Sequence, residues 1–264
     1  MGNSIQVLRE VSADHRSFPA RTVGPFADHT PINQYNSATR VIEAGTDLFR
    51  PGESCGVIYY LVDGCLFLYD LLEDGRRQIL HFTLPGGVLG SYPNRVAIYG
   101  AQALTDATVR VIPHGSLGSL LKDHAEAGLQ LMWSVWKERN LAYDHLSSIG
   151  RRSSRERIAR LLLELFVRFR MRWPHHGIEE MHLPLTQEHI GDATGLSNVH
   201  VNRVLRDLRQ EGIVEFHYRR LKIMNPDKLA DIAGVDPRIA EWACKDDAED
   251  KVLAALGTRS GFLL

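Results

Sequence analysis

Between Asn198 and Arg209, side chains that can hydrogen-bond alternate with side chains that cannot. Asn198, His200, Asn202, Arg203, Arg206 and Arg209 make up the polar set. Amides and an imidazole offer donors and acceptors, and guanidinium forks offer paired donors. Such groups recognise base edges and phosphates; none here is a nucleophile set beside a base. Val201, Val204, Leu205 and Leu208 form an apolar stripe at the 3.6-residue helical period. One face of this helix is therefore expected to bury, and the other presents polar groups of the kind that fit a DNA major groove.

The flanking residues supply the frame. Thr186 can accept a free amide of a first turn, so a helix is expected from there to about Thr194. Gly195 permits the left-handed conformation that ends it. Ser197 caps the next helix, and Gly212 closes that helix after residue 211. Ile213–Phe216 and Leu221–Met224 read as short strands around His217, Tyr218, Arg219 and Arg220. The whole, Leu183 to Ile223, is a helix-turn-helix followed by a basic hairpin, or wing. The alternative is an αα-hairpin with a solvated face, in a ligand-sensing signalling module whose helix-turn-helix mediates protein contacts.

Net charge over the 264 residues is −1, which looks wrong for a partner of nucleic acid. Its distribution resolves this. Residues 1–149 hold 12 Lys/Arg against 15 Asp/Glu, residues 150–223 hold 14 against 9, and residues 224–264 hold 5 against 8. The excess of positive charge lies in the segment that carries the motif, where phosphates would be met. No run of apolar residues is long enough to span a bilayer, and no secretory or myristoylation pattern opens the chain. Cys55, Cys65 and Cys244 are widely spaced and odd in number, which suits a reducing cytoplasm.

Upstream, residues 1–39 show no period and contain Pro19, Pro25 and Pro31, so an irregular arm is expected. From 40 to 115 turn pairs recur at Pro51-Gly52, Asp63-Gly64, Asp74-Gly75 and Gly86-Gly87, a rhythm of short strands closing a sandwich or jelly roll. Strands are expected at Val57–Val62, Leu66–Leu72, Gln78–Phe82, Ala101–Leu104 and Thr108–Ile112. Residues 116–150 read as one long helix. Leu129, Met132, Trp136, Tyr143 and Leu146 follow a 3-4 spacing that suits a two-helix coiled coil, or else a helix packed on its own domain. Gly150–Ser154 is a hinge, with Ser153 or Ser154 as a cap. A helix follows over Ile158–Phe169, then a loop at Trp173–Gly177. The DNA-facing unit is taken as 151–224, and 225–264 as an extension with one or two peripheral helices and a poorly ordered end.

The segment LTQEHIGDATGLSNVHVNRVLRDLRQEGIV resembles the winged-helix domain of the Crp/Fnr transcription regulators. FRPGESCGVIYYLVDGCLFLYDLLEDGRRQIL resembles their cyclic-nucleotide-binding-like β-roll. The resemblance implies an α+β chain with an N-terminal jelly-roll-like sensor domain, a long dimerisation helix and a C-terminal winged helix-turn-helix. It implies a cytoplasmic bacterial homodimer that binds double-stranded DNA and contacts RNA polymerase. It places Asn198, Val199, His200, Asn202 and Arg203 at the base edges. Arg203 matches a family Arg that reads guanine, and Val199 stands where well-known relatives carry Glu. Thr186, Gln187, Ser197, Arg206, Arg219, Arg220 and Lys222 become candidates for phosphate contact, and Leu129, Met132, Trp136, Tyr143 and Leu146 for the dimer interface.

The effector is not implied. Relatives that bind cyclic AMP carry a carboxylate for the ribose and an Arg for the phosphate. In PGGVLGSYPNRVAIYGAQALTD these positions fall near Ser91 and Ala97, and the nearest Arg is Arg95. Cyclic AMP is not expected. An iron–sulfur cluster needs several closely placed thiolates, and the arm has none. His81, His114 and His124 are scattered, and His175, His176 and His182 match no strong ligand spacing, so no metal is expected. No phosphate loop, G-x-S-x-G or H-E-x-x-H is present, which disfavours an enzyme.

Overall fold

The computed structural model describes Ile32 and residues 37–91, 95–172 and 180–235. The irregular arm, the Trp173–Gly177 loop, His175, His176, Cys244 and the end of the chain lie outside the described residues, apart from Ile32 and residues 37–39 of the arm.

Eight strands build the first unit: β1 Ala38–Ile42, β2 Asp47–Phe49, β3 Val57–Asp63, β4 Leu66–Leu71, β5 Arg77–Thr83, β6 Val88–Gly90, β7 Gly100–Ala103 and β8 Ala107–Pro113. They form two antiparallel four-stranded sheets, ordered β1-β8-β3-β6 and β2-β7-β4-β5. Val, Leu, Ile and aromatic residues at alternate positions fill the space between the sheets, with Leu48, Phe49, Tyr59, Leu61, Leu66 and Val109 buried. The predicted glycine turns are where the chain reverses. Gly64 shows why the type is fixed: its φ is 90°, and a Cβ there would sit 2.3 Å from the carbonyl oxygen of Asp106.

The helical stretch is not continuous. A short 3-10 turn at His114–Ser116 leads into α1, Leu117–Asp123, and α2 runs from Ala125 to Arg151. His124 leaves the helical region, and Leu121 folds over Gly128 across the bend. At the hinge Arg152 is extended, and Ser153 caps α3, Ser154–Arg172. The cap is reciprocal: Ser153 N–H donates to Glu156 at 2.6 Å, and Ser153 Oγ accepts the Glu156 amide at 3.4 Å.

The second unit adds β9 Glu180–His182, α4 Gln187–Thr194, α5 Asn198–Gln210, β10 Val214–His217, β11 Arg220–Ile223 and α6 Pro226–Ala233. Its sheet runs β10-β11-β9. β9 lies just ahead of the predicted motif, which starts at Leu183, in a stretch where no element is expected. Helix α6 also departs from expectation. Leu229, Ala230 and Ala233 are fully buried, and Arg160 donates to the Ala233 carbonyl at 3.1 Å. It belongs to the core of this unit rather than to a peripheral extension.

The two units share one apolar cluster. Phe67, Tyr69, Ile79 and Phe82 of β4 and β5 pack with Leu162, Phe166 and Phe169 of α3 and Ile190 of α4. Polar bonds reinforce the contact. Arg77 pairs with Asp192 at 2.8 Å, Gln78 donates to the Asp192 carbonyl at 2.7 Å, and Arg168 donates to the Phe82 carbonyl at 2.8 Å.

Candidate nucleic-acid interface

Each helix of the motif is fixed by its own cap. Thr186 Oγ1 accepts the His189 amide at 3.2 Å, while His189 Nδ1 accepts the Thr186 amide at 3.3 Å. A histidine thus fills the place that Glu or Gln takes in a capping box. Burial, and then the Arg77 cation, lower the His189 pKa to about 4, so the ring is neutral and able to accept. The T-x-x-H spacing, Thr186 to His189, is the sequence signal for this cap. Gly195 ends α4 at φ 68°. At Gly191 a Cβ would come within 2.7 Å of the Leu196 carbonyl, so the turn between the helices needs a glycine there.

Helix α5 buries Val201, Leu205 and Leu208, with Val204 half-buried against the same core. On the opposite side Val199, Asn202, Arg203 and Arg206 are all exposed at i, i+3, i+4 and i+7. Asn198 and His200 flank them, also exposed. Asn198 leans back toward α4, its Oδ1 lying 3.4 Å from where a Gly191 Cβ would stand. His200 is oriented by a neighbour: Ser197 Oγ lies 2.8 Å from His200 Nδ1. In the tautomer where Nδ1 accepts the hydroxyl proton, Nε2–H points away from the helix as a donor. Ser197 Oγ also accepts the His200 amide at 3.4 Å. The hydroxyl named as a phosphate contact is therefore turned onto its own helix.

The wing differs in detail from the expected hairpin. The strands reach to His217 and Arg220, which pair directly, so the loop is only Tyr218 and Arg219. Both have positive φ, 49° and 62°. That is the two-residue primed turn that matches strand twist, and it normally carries Asn or Gly. A left-handed residue with a full side chain costs about 1–2 kcal/mol. Arg219 is at the tip, whereas Arg220 is a strand residue. Val214, Leu221 and Ile223 are buried and Phe216 is packed against the core. Glu215, His217, Arg220 and Lys222 take the alternate positions and face outward. Arg209 at the end of α5 reaches Glu215 at 3.7 Å, so the exposed side of α5 and the outer side of the wing are contiguous. Thr186 and Gln187 are half-buried at the start of α4.

Helix α2 carries the other predicted set. Leu129, Met132, Trp136, Tyr143 and Leu146 are 53, 39, 43, 59 and 67% exposed, and Trp133 and Val135 add to the same bare apolar surface. The helix rests on its own unit through Ala127, Gly128, Leu131, Ser134 and Leu141.

In the β-roll, Ser91 Oγ donates to the Arg95 and Val96 carbonyls at 3.4 Å, and Ala97 is buried. The space between the sheets there holds stacked Phe49 and Tyr59 rings, 5.9 Å apart. Cys55 and Cys65 are both buried, and they lie in different core clusters. Burial pushes the Cys65 thiol up to about 12. His81 is buried and hydrogen-bonded to Glu138, a structural role. His182, on β9, pairs directly with Arg220 of β11. Among the described residues no group of three His, Cys, Asp or Glu is placed to hold a metal ion. No described helix is long and apolar enough to cross a membrane.

Comparison with known proteins agrees with this architecture. The profile of the cyclic nucleotide-binding domain matches residues 39–124, and that of the Crp-like helix-turn-helix domain matches residues 156–232. The chain is 28% identical over 186 residues to the transcriptional activatory protein AadR of Rhodopseudomonas palustris, covering 70% of this chain and 77% of that one. It is 27% identical over 209 residues to the transcriptional activator protein Anr of Pseudomonas aeruginosa, covering 78% and 85%. The solved structure of FixK2 from Bradyrhizobium japonicum superposes with a TM-score of 0.66 at 29% identity, covering 75% of this chain and 98% of that one. With both domain profiles in their expected order along one chain, and relatives that span most of its length, the chain belongs to the Crp/Fnr family of transcription regulators.

Proposed function

We propose that this chain is a sequence-specific DNA-binding transcription regulator that works as a homodimer in the bacterial cytoplasm and catalyses no reaction. The observation that carries the reading is the exposed row Val199, Asn202, Arg203 and Arg206 on a helix whose other side is locked into a core. Asn198, Val199, His200, Asn202 and Arg203 meet base edges. Arg203 presents a guanidinium fork matched to guanine O6 and N7. Val199 can touch only a thymine methyl or another apolar edge, so the preferred half-site differs from that of relatives with Glu there. Thr186, Gln187, Arg206, Arg219, Arg220 and Lys222 supply phosphate contacts. Two copies joined along the bare face of α2 set two such helices roughly 34 Å apart, one turn of a near-palindromic site. RNA polymerase is the partner through which binding acts on transcription.

The controlling signal is not cyclic AMP. Neither Ser91 nor Ala97 offers a charge to a ribose hydroxyl or a phosphate, and Ala97 is buried. The AadR and Anr names describe activators, which supports the regulatory role without supplying the signal. The test is a salt series on a duplex selected from random DNA. Neutralising several phosphates gives a log–log slope of about −0.9 per contact. A flat slope, or no selected duplex, would leave the motif as a protein-binding surface.

A further inference from the structure

A strand of the β-roll finishes a helix of the DNA-facing unit. The last carbonyls of an α-helix have no amide partner within it. In α4 those of Asp192, Ala193 and Thr194 are met by side chains from other elements. Gln78 of β5 donates to the Asp192 and Ala193 carbonyls at 2.7 and 3.4 Å, and Arg157 of α3 donates to that of Thr194 at 3.2 Å. Arg77, the neighbour of Gln78 on β5, donates to the Asp192 carboxylate at 2.8 Å. Two consecutive residues of the β-roll therefore hold one residue of α4 at both its backbone and its side chain. Arg77 is itself held in place. It donates to Gln102 of β7 at 3.3 Å, and its guanidinium lies 5.1 Å from the centre of the Phe67 ring.

This clasp does what the apolar contact beside it cannot. The packing of β4 and β5 on α3 holds the two units together, but apolar contact has no direction. Hydrogen bonds and a guanidinium–carboxylate pair do have direction. With its carboxylate and its carbonyl both held, Asp192 cannot slide or turn without breaking one of them. Helix α5 must follow α4, because the turn between them is closed by the Leu196 amide, which donates to the Gly191 carbonyl at 3.0 Å. The covalent route from α2 is less restrictive: it passes through Arg152, a single extended residue ahead of the Ser153 cap.

We infer that Arg77 and Gln78, residues of the β-roll, are positioning residues that set the half-site spacing this regulator accepts. The inference rests on the proposed dimeric DNA-binding function. It concerns which pairs of half-sites are bound together, not which bases are read. The margin is small. Successive base pairs rise by about 3.4 Å, so a shift of each α5 by about half that distance changes the separation by one base pair.

The test compares the full-length wild type with the double variant Arg77→Ala/Gln78→Ala. Affinity is read on a selected palindromic duplex, on duplexes with one base pair added or removed between its halves, and on a duplex with a single half-site. Wild type should lose on the order of a hundredfold when the spacing changes, because both halves can no longer be engaged at once. In the variant that loss should narrow to on the order of tenfold or less. The variant should bind the selected duplex several-fold more weakly, since the orientation of α5 is now fixed only on binding. It should match wild type on the single half-site and still sediment as a dimer. A variant that keeps the wild-type spacing preference would overturn the inference and leave the DNA-binding reading intact. An equal loss on the single half-site would also overturn it, since the damage would then lie in the motif itself. If wild type binds no duplex, or binds every spacing alike, the paired-site function fails instead.

Discussion

Helices α2 and α5 each leave one side uncovered, but they do so in opposite senses. In α5 the inward residues are large and apolar and the outward ones are polar, as a surface helix requires. In α2 the inward face mixes Leu131 and Leu141 with Ala127, Gly128, Ser134 and Ser148, whereas Leu129, Met132, Trp133, Trp136, Tyr143 and Leu146 look outward. A bare strip of that kind marks an interaction surface rather than a solvent face. The contrast separates two partners by chemistry. The polar face suits base edges and phosphates. The apolar face suits an identical helix from a second copy, aligned by its 3-4 spacing.

The largest break in this contrast is Trp136→Glu. Trp136 sits near the middle of the strip, and in a twofold dimer both copies lose their apolar contact and gain a buried charge. Dimer dissociation should rise by on the order of a thousandfold or more. Sedimentation at low micromolar concentration should show a monomer, and binding to a palindromic duplex should vanish. A variant that still sediments as a dimer would remove α2 as the main interface. Arg203→Ala should come next. A bidentate guanine contact discriminates by about 1–3 kcal/mol, so affinity for the preferred site should fall while scrambled DNA is barely affected. Equal weakening of both would make Arg203 a phosphate anchor.

The recognition helix was legible because its signals are local. Thr186, Gly195 and Ser197 stand at the helix boundaries, and Val201, Leu205 and Leu208 form a period within one short window. The turn glycines of the β-roll were legible for the same reason. The docking of the DNA-facing unit on β4 and β5 was not. Arg77 and Asp192 are far apart in the chain, and a burial pattern says that a side chain is covered without saying by what. Helix α6 was hidden for the same reason. Its proline and charges suggested a periphery, but Pro226 opens the helix and Leu229, Ala230 and Ala233 complete the α3 core. Strand β9 is three residues long and has no sequence pattern of its own; it is a strand because β11 offers it an edge.

Arg219 tests the wing side of the contrast with a smaller effect. Its guanidinium acts through charge, so Arg219→Ala should weaken specific and scrambled DNA together by several-fold and shallow the salt slope by about one unit. The two-residue turn leaves the tip to Tyr218 and Arg219, and Arg220→Ala should behave alike from its strand position. A base-dependent loss in either variant would move the wing into sequence readout.

The smallest expected effect concerns how α4 is held beneath both contact surfaces. His189 is neutral in the folded chain, with its pKa lowered to about 4 by burial first and the Arg77 cation second. In the unfolded chain a histidine takes up its proton near pH 6.5. Between those values the unfolded state binds more protons, so stability is complete above pH 6.5 and is lost as pH falls toward 4. With allowance for partial exposure, the contribution between pH 6.5 and pH 5 is about 1 kcal/mol. His145 shifts in the same direction through burial, and carboxylates titrate lower in the range, so a single pH curve cannot isolate His189. The difference from His189→Gln can. Gln at this place restores the usual Thr-x-x-Gln capping box, keeping the bond to the Thr186 amide while removing the titration. Urea unfolding should give nearly equal stabilities for the two proteins at pH 7.5. At pH 5 the variant should be the more stable by about 1 kcal/mol. Parallel curves across the range would mean that His189 does not carry the neutral cap.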